Sequence, residues 1–183
     1  QWKEQQFDAQ VAINLSAKDL SRKNLLDSIH QQLERYQLTA GSLAFEITES
    51  EIMRDSKQAI DLLQRFREAG FDLAIDDFGT GYSSLKYLHA LPASVIKVDQ
   101  SFVFALPDDE SAASIVEMAR PLANKLGMRI VAEGVETLEA LDFLVAQDFD
   151  LLQGYLIAAP MAAEDFTRWY LDLPTPGYWH PNR

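Results

Sequence analysis

The chain has 183 residues, 48% of them apolar, enough to bury one core, and a formal charge of −12 with a pI near 4.6. That balance excludes nucleic-acid polymers as partners, because Lys and Arg must neutralise their phosphates. The absence of cysteine excludes thiol catalysis, disulfides and thiolate metal sites and fits a reducing compartment, while no apolar run reaches the ~20 residues that cross a bilayer, so a soluble chain is expected.

In chain order, short runs rich in Val, Ile, Leu and Phe alternate with helical patterns, as in βα units around a mainly parallel sheet. Val11 to Leu15 is the first predicted strand, and Leu26, Ile29, Leu33 and Tyr36 mark a helix after it. Leu43 to Thr48 is the second strand. Ala59, Leu62, Leu63 and Phe66 then fall at helical spacing, with Asp55 or Ser56 as the start signal and Gly70 as the stop. Leu73 to Ile75 and Val95 to Val98 follow as strands. Ala112, Ile115, Ala119, Leu122 and Leu126 predict a helix from about Ser111 to Gly127, in which Pro121 should cause a kink or break. Arg129 to Ala132 is the fifth strand, Leu138, Leu141, Leu144 and Val145 a helix behind Thr137, and Leu151 to Ile157 the sixth strand. Phe166, Trp169 and Tyr170 suggest a last helix packing outside. Pro174 to Arg183, with three prolines and Gly177, reads as a terminal tail, so the domain is placed at 1–173 and the tail at 174–183.

Each strand ends in, or encloses near its C-terminal end, a polar residue that packing alone would not select. Asn14 closes the first, Glu46 and Glu49 the second, Asp76 and Asp77 the third, Lys97 and Asp99 the fourth, Glu133 and Glu136 the fifth, and Gln153 sits in the sixth. Parallel strands wound with helices point one way, so these groups should meet at the C-terminal mouth of the sheet. Carboxylates ~4 Å apart repel by about 4 kcal/mol at an effective dielectric near 20, which calls for a cation between them. An oxygen-rich set without sulfur or imidazole suits Mg²⁺ or Mn²⁺. Adjacent Asp76 and Asp77 would diverge on a regular strand, so they are expected where the strand gives way to the Phe78 to Ser84 loop.

Structural readings compete at each position. Asn14 and Asp99 could be helix caps, Glu49 a loop-to-helix ion pair, Glu136 part of a helix N-terminus, and Lys97 a buried salt bridge. Glu46, Asp76, Asp77 and Glu133 resist such readings because an acid among apolar neighbours is costly without a counter-charge. His30, His89 and His180 share no metal-ligand spacing and read as incidental. Asp77-Phe78-Gly79 spells a kinase metal-binding triplet, but neither a catalytic loop nor a Gly-rich loop accompanies it. Gly79-Thr80-Gly81 lacks the third glycine of a dinucleotide fingerprint.

Asn14-Leu15-Ser16, Phe45-Glu46-Ile47-Thr48-Glu49-Ser50, the ten residues from Asp76 to Leu85, Ile96-Lys97-Val98-Asp99, Ala132-Glu133-Gly134-Val135-Glu136-Thr137 and Gln153-Gly154-Tyr155 resemble, in order, the EAL-domain cyclic-di-GMP phosphodiesterase family. The resemblance runs from about residue 2 to residue 170. It implies an α/β fold, a TIM-like (β/α) barrel that is here incomplete at its N-terminal side, with about six of its eight strands. It further implies two Mg²⁺ or Mn²⁺ ions and hydrolysis of cyclic-di-GMP to linear pGpG. Asn14, Glu46 and Asp76 would bind one ion and Asp76 and Asp77 the other. Glu133 with Lys97 would position and deprotonate the attacking water, Glu136, Gln153 and Asp99 would support them, and Glu49 would anchor the loop after Asp77.

The family's Glu-Ala-Leu motif, which lies before Asn14 in relatives, has no counterpart; Glu139-Ala140-Leu141 has helical spacing and is a false match. The missing part carries the family's first metal ligand, so an inactive cyclic-di-GMP receptor or protein-docking module is the alternative function. An unrelated metal-dependent barrel enzyme fits the acidic cluster alone. A homodimer, attachment to other signalling domains, and a cytoplasmic location, free or as part of a membrane-anchored protein, complete the expectations.

Overall fold

The computed structural model describes residues 9–22, 24–54, 56–81 and 85–173. Asp55, the Tyr82 to Ser84 part of the long motif, His180 and the predicted 174–183 tail lie outside the described residues. The elements run β1 (Val11–Asn14), α1 (Ala17–Leu20), α2 (Leu25–Tyr36), β2 (Leu43–Thr48), α3 (Glu49–Arg54), α4 (Ser56–Glu68), β3 (Asp72–Phe78), α5 (Leu85–Ala90), β4 (Val95–Val98), α6 (Gln100–Phe104), α7 (Glu110–Leu126), β5 (Arg129–Ala132), α8 (Leu138–Ala146), β6 (Leu151–Leu152) and α9 (Ala163–Leu171). Among the described residues, six strands pair in parallel in the order β1-β2-β3-β4-β5-β6. That order, with helices between strands, is a curled half-barrel of TIM type.

Alternation along β2, β3, β4 and β5 separates two layers. Phe45, Ile47, Leu73, Ile75, Ile96, Val98, Ile130 and Ala132 point outward and join the helices in the main core. Phe66 of α4 meets Phe45 edge-on with centroids 4.9 Å apart, and Phe71 packs on Phe45 at 5.2 Å. The opposite parity faces the inside, where Ala74, Val95 and Val131 form a small separate apolar layer. Two residues further along the same strands stand Asp76, Lys97 and Glu133, so the period of two lifts the charged groups onto an apolar floor at the C-terminal mouth.

Several predicted elements need correction. The helix containing Pro121 is unbroken from Glu110 to Leu126. Pro121 and Glu117, the residue whose carbonyl it deprives of a donor, both lie on the exposed face, while Ala112, Val116, Ala119 and Ala123 hold the buried face. In α8 the buried stripe is Ala140, Leu141 and Leu144, leaving Leu138 and Val145 exposed. Glu139-Ala140-Leu141 is indeed helical. The sixth strand stops at Leu152 instead of reaching Ile157, because the chain turns at Gly154. There Val135 N donates to Gln153 O at 3.0 Å and Leu156 N to Val135 O at 3.0 Å. A Cβ on Gly154 would fall 2.2 Å from the Val135 backbone.

At the opposite end of the sheet Asp72 gathers Gln10 Nε2 (3.1 Å) and Ser94 Oγ (3.0 Å), with Arg67 at 3.3 Å and Arg129 at 3.6 Å. The hydrogen bond from Gln10, then that from Ser94 and the two arginine charges, hold the Asp72 carboxyl below its ordinary range despite partial burial. A depressed carboxylate stabilises the fold above its unfolded-state pKa and loses that contribution as pH falls through the folded value. Asp72→Ala should therefore cost about 1 kcal/mol at neutral pH, discounted for exposed arginines. The penalty should shrink toward zero in strong acid, as read from urea unfolding midpoints across pH.

Candidate active site

Lys97 is 5% exposed at the end of β4. Its Nζ contacts Glu46 Oε2 at 2.9 Å, Asp76 Oδ1 at 2.8 Å and Glu133 Oε1 at 2.6 Å. Four adjacent strands thus send one cation and three carboxylates to one point. Burial alone would lower the Lys97 pKa, but its hydrogen bonds to Asp76, Glu133 and Glu46 outweigh burial and push it above the usual lysine value. The buried salt bridge anticipated as a rival for Lys97 is real, and it is built from the same acids that the sequence nominates as ligands.

Asp77 reaches this mouth by a different route. Asp76 is paired in the β2–β3 ladder opposite Thr48, and regular alternation would send Asp77 to the outside. The β3–β4 register breaks between Ile75 and Phe78, and Asp77 takes φ 53°, a left-handed conformation uncommon for a non-glycine residue. The strand assignment continues to Phe78, so the acids lie within β3 and not beyond its end; the bulge supplies the turn expected of a loop. Oxygens of Asp76, Asp77 and Glu133 consequently lie within 4.8 Å of one another. Burial, then the charges of Asp76 and Asp99, raises the Asp77 pKa against the pull of Lys97. Glu133 is also raised, chiefly by burial and by Asp76 and Glu46, with Lys97 opposing.

A cavity of about 420 Å³ adjoins the acids, lined by Asp77, Asp99, Glu133, Glu136, Gln153 and Tyr155 among others. Glu136 and Gln153 are exposed on it, so they share the mouth with the buried cluster. Asn14 is exposed on β1, in register with Glu46. Asp99 has the capping role anticipated for it, accepting from Ser101 N at 2.9 Å at the start of α6, and it also lines the cavity. Glu49 stands apart from the lysine cluster. It is 4% exposed, and its carboxylate lies where a Cβ on Gly81 would be 3.1 Å away, beneath the loop that follows Asp77. Thr80 N and Oγ1 both donate to Asp77 O, so Gly79-Thr80-Gly81 forms a tight turn. His30 stacks on Phe71, and His89 lies in α5 away from the cavity. Sequence reasoning overlooked Gln100 and Phe104, which line the cavity from α6, a helix of five residues that is too short to show periodicity.

The oxygen-only donors, their mutual closeness and the raised pKa values of two of them fit a hard dication such as Mg²⁺ or Mn²⁺. Fold and site together define a protein of (β/α)-barrel type with an acidic mouth at the C-terminal strand ends. The EAL-domain family model matches residues 1–160, and the chain belongs to that family. It is 44% identical over 163 residues to the cyclic di-GMP phosphodiesterase NbdA of Pseudomonas aeruginosa, covering 87% of this chain and 21% of that protein. The solved complex of the PaMucR phosphodiesterase with c-di-GMP matches at a TM-score of 0.82 and 42% identity, over 86% of this chain and 64% of that one. Klebsiella pneumoniae BlrP1 with manganese and cyclic-di-GMP matches at 0.80 and 33% identity, over 86% of this chain and 41% of that one. The chain spans about a fifth of the length of the first curated relatives it matches. Among the described residues, no helix is long and apolar enough to cross a membrane.

Proposed function

We propose that this chain carries the catalytic face of a metal-dependent phosphodiesterase that hydrolyses cyclic-di-GMP to linear pGpG. The observation that carries the reading is the convergence of Glu46, Asp76, Asp77 and Glu133 about Lys97 at the C-terminal strand ends. The relatives named above supply the substrate class. Asn14, Glu46 and Asp76 would hold one Mg²⁺ or Mn²⁺, and Asp76 with Asp77 the second. Bound there, the ions would offset phosphate charge and make water more acidic. Glu133, its pKa raised by burial, takes the proton from the attacking water at a carboxylate oxygen. Lys97 holds Glu133, Asp76 and Glu46 in fixed relation by donating to all three. Asp99, Glu136 and Gln153 border the cavity that receives the nucleotide, and Glu49 braces the loop beyond Asp77.

The domain acts within a longer, cytoplasmic signalling protein, as a homodimer whose regulation comes from other domains. Incubation of the purified protein with cyclic-di-GMP and Mn²⁺ should yield pGpG by chromatography, and excess EDTA should abolish the product. Tight binding of intact cyclic-di-GMP with no turnover in Mn²⁺ would favour a receptor instead, and neither binding nor turnover would reject the substrate.

A further inference from the structure

Helix α6 stands between the two chain segments that carry Asp77 and Glu133 away from the site. Gly79, two residues beyond Asp77, has φ +99°, and a Cβ there would fall 2.8 Å from Phe102 Cε2. Gly134, next to Glu133, has φ +73°, and its Cβ would fall 2.6 Å from Gln100 Cβ and 2.8 Å from Phe104 Cε1. Five residues therefore press on both segments at points where only glycine leaves room. The helix is itself fixed. Asp99 caps it, Val103 is 1% exposed in the core, and Phe102 is partly buried against that core. Backbone bonds tie the same region together, since Asp99 N donates to Phe78 O at 3.4 Å and Glu133 N to Val98 O at 3.2 Å.

We infer that α6 is a positioning wedge, with Phe102 as its principal residue, that sets the separation of the Asp77 and Glu133 carboxylates and so the affinity of the mouth for a divalent cation. The inference rests on the metal-dependent reading above. A phenyl ring offers no ligand atom to a hard cation, so any effect of Phe102 on binding passes through the acids it positions. Loss of the ring would free the Gly79 segment to relax toward α6, moving Asp77 away from its partners.

Mn²⁺ titration calorimetry on the wild type, Phe102→Ala, Phe102→Leu and a remote core variant, Leu144→Ala, tests this. Residues that orient metal ligands typically change affinity by 10–100-fold, so Phe102→Ala should weaken Mn²⁺ binding about tenfold or more and Phe102→Leu about threefold. Leu144→Ala should lower the thermal midpoint and leave Mn²⁺ affinity unchanged. If Phe102→Ala fails to fold, Phe102→Leu decides: a loss near threefold supports the wedge, and wild-type affinity overturns it. An equal loss in Leu144→Ala also overturns it, because the effect would then follow general stability. Failure of the wild type to bind Mn²⁺ would overturn the metal reading itself, and the wedge with it.

Discussion

Replacing Lys97 by methionine is expected to cost the fold about 3–5 kcal/mol in EDTA, the range for removing one partner of a buried charge cluster. Native stability is only about 5–15 kcal/mol, so the variant would stand near unfolding. The cause is electrostatic and not a cavity, since methionine nearly matches the lysine stem. Glu46, Asp76 and Glu133 are 15%, 13% and 17% exposed, and each loses its contact with the one ammonium among them. Glu133, whose pKa burial already raises, can respond by taking up a proton, which makes the deficit depend on pH. An acid whose pKa is raised in the fold favours the protonated folded state, so the variant should be weaker near pH 8 than near pH 5. In the wild type the pKa of Lys97 is itself raised, so its contribution is fully present at both pH values and fades only in strong alkali. Adding Mn²⁺ should return part of the loss, because a dication can occupy the charge deficit that lysine leaves. Urea midpoints at the two pH values, with EDTA and with Mn²⁺, would check this; a variant as stable as the wild type near pH 8 in EDTA would contradict the cluster's dependence on Lys97.

Much of this arrangement could be read before the structure, for a reason visible in the strands. A parallel strand buried on both faces should be apolar throughout, so Glu46 within Leu43–Thr48 and Lys97 within Val95–Val98 stand out against their neighbours. Both sit at inward positions at the same end of the sheet. What could not be read are the places where backbone geometry departs from its period. The bulge that turns Asp77 back beside Asp76 leaves no hydrophobic signature, and the doubled aspartate alone suggested the end of a strand. The halt of the sixth strand is set by contact of Gly154 with Val135, which lie far apart in sequence but touch in space. Pro121 does not break its helix, because the penalty for proline depends on where the freed carbonyl sits in the packed helix and not on the dipeptide. Gln100 and Phe104 escaped notice because their significance lies in what they touch across the mouth, namely Gly134.

The chemistry itself is tested most sharply at Glu133. Glu133→Gln keeps the shape and the ability to hydrogen-bond but cannot accept a proton from water, so turnover of cyclic-di-GMP should fall about 10²–10⁴-fold, the usual contribution of a general base. Because Glu133 also belongs to the group of close carboxylates, the comparison belongs at saturating Mn²⁺, where weaker ion binding no longer limits the rate. Stability should change little, since Lys97 retains Glu46 and Asp76 and the lost carboxylate is one that burial already disfavours. The pH profile separates the base from a bystander. With its pKa raised, Glu133 loses the proton-accepting form as pH falls through that value, so the wild-type rate should climb with pH on the acidic limb. In Glu133→Gln that limb should flatten, because no group remains there to titrate. Equal turnover by the two proteins, or an acidic limb unchanged by the substitution, would move the base to another residue and leave Glu133 as a partner of Lys97 alone.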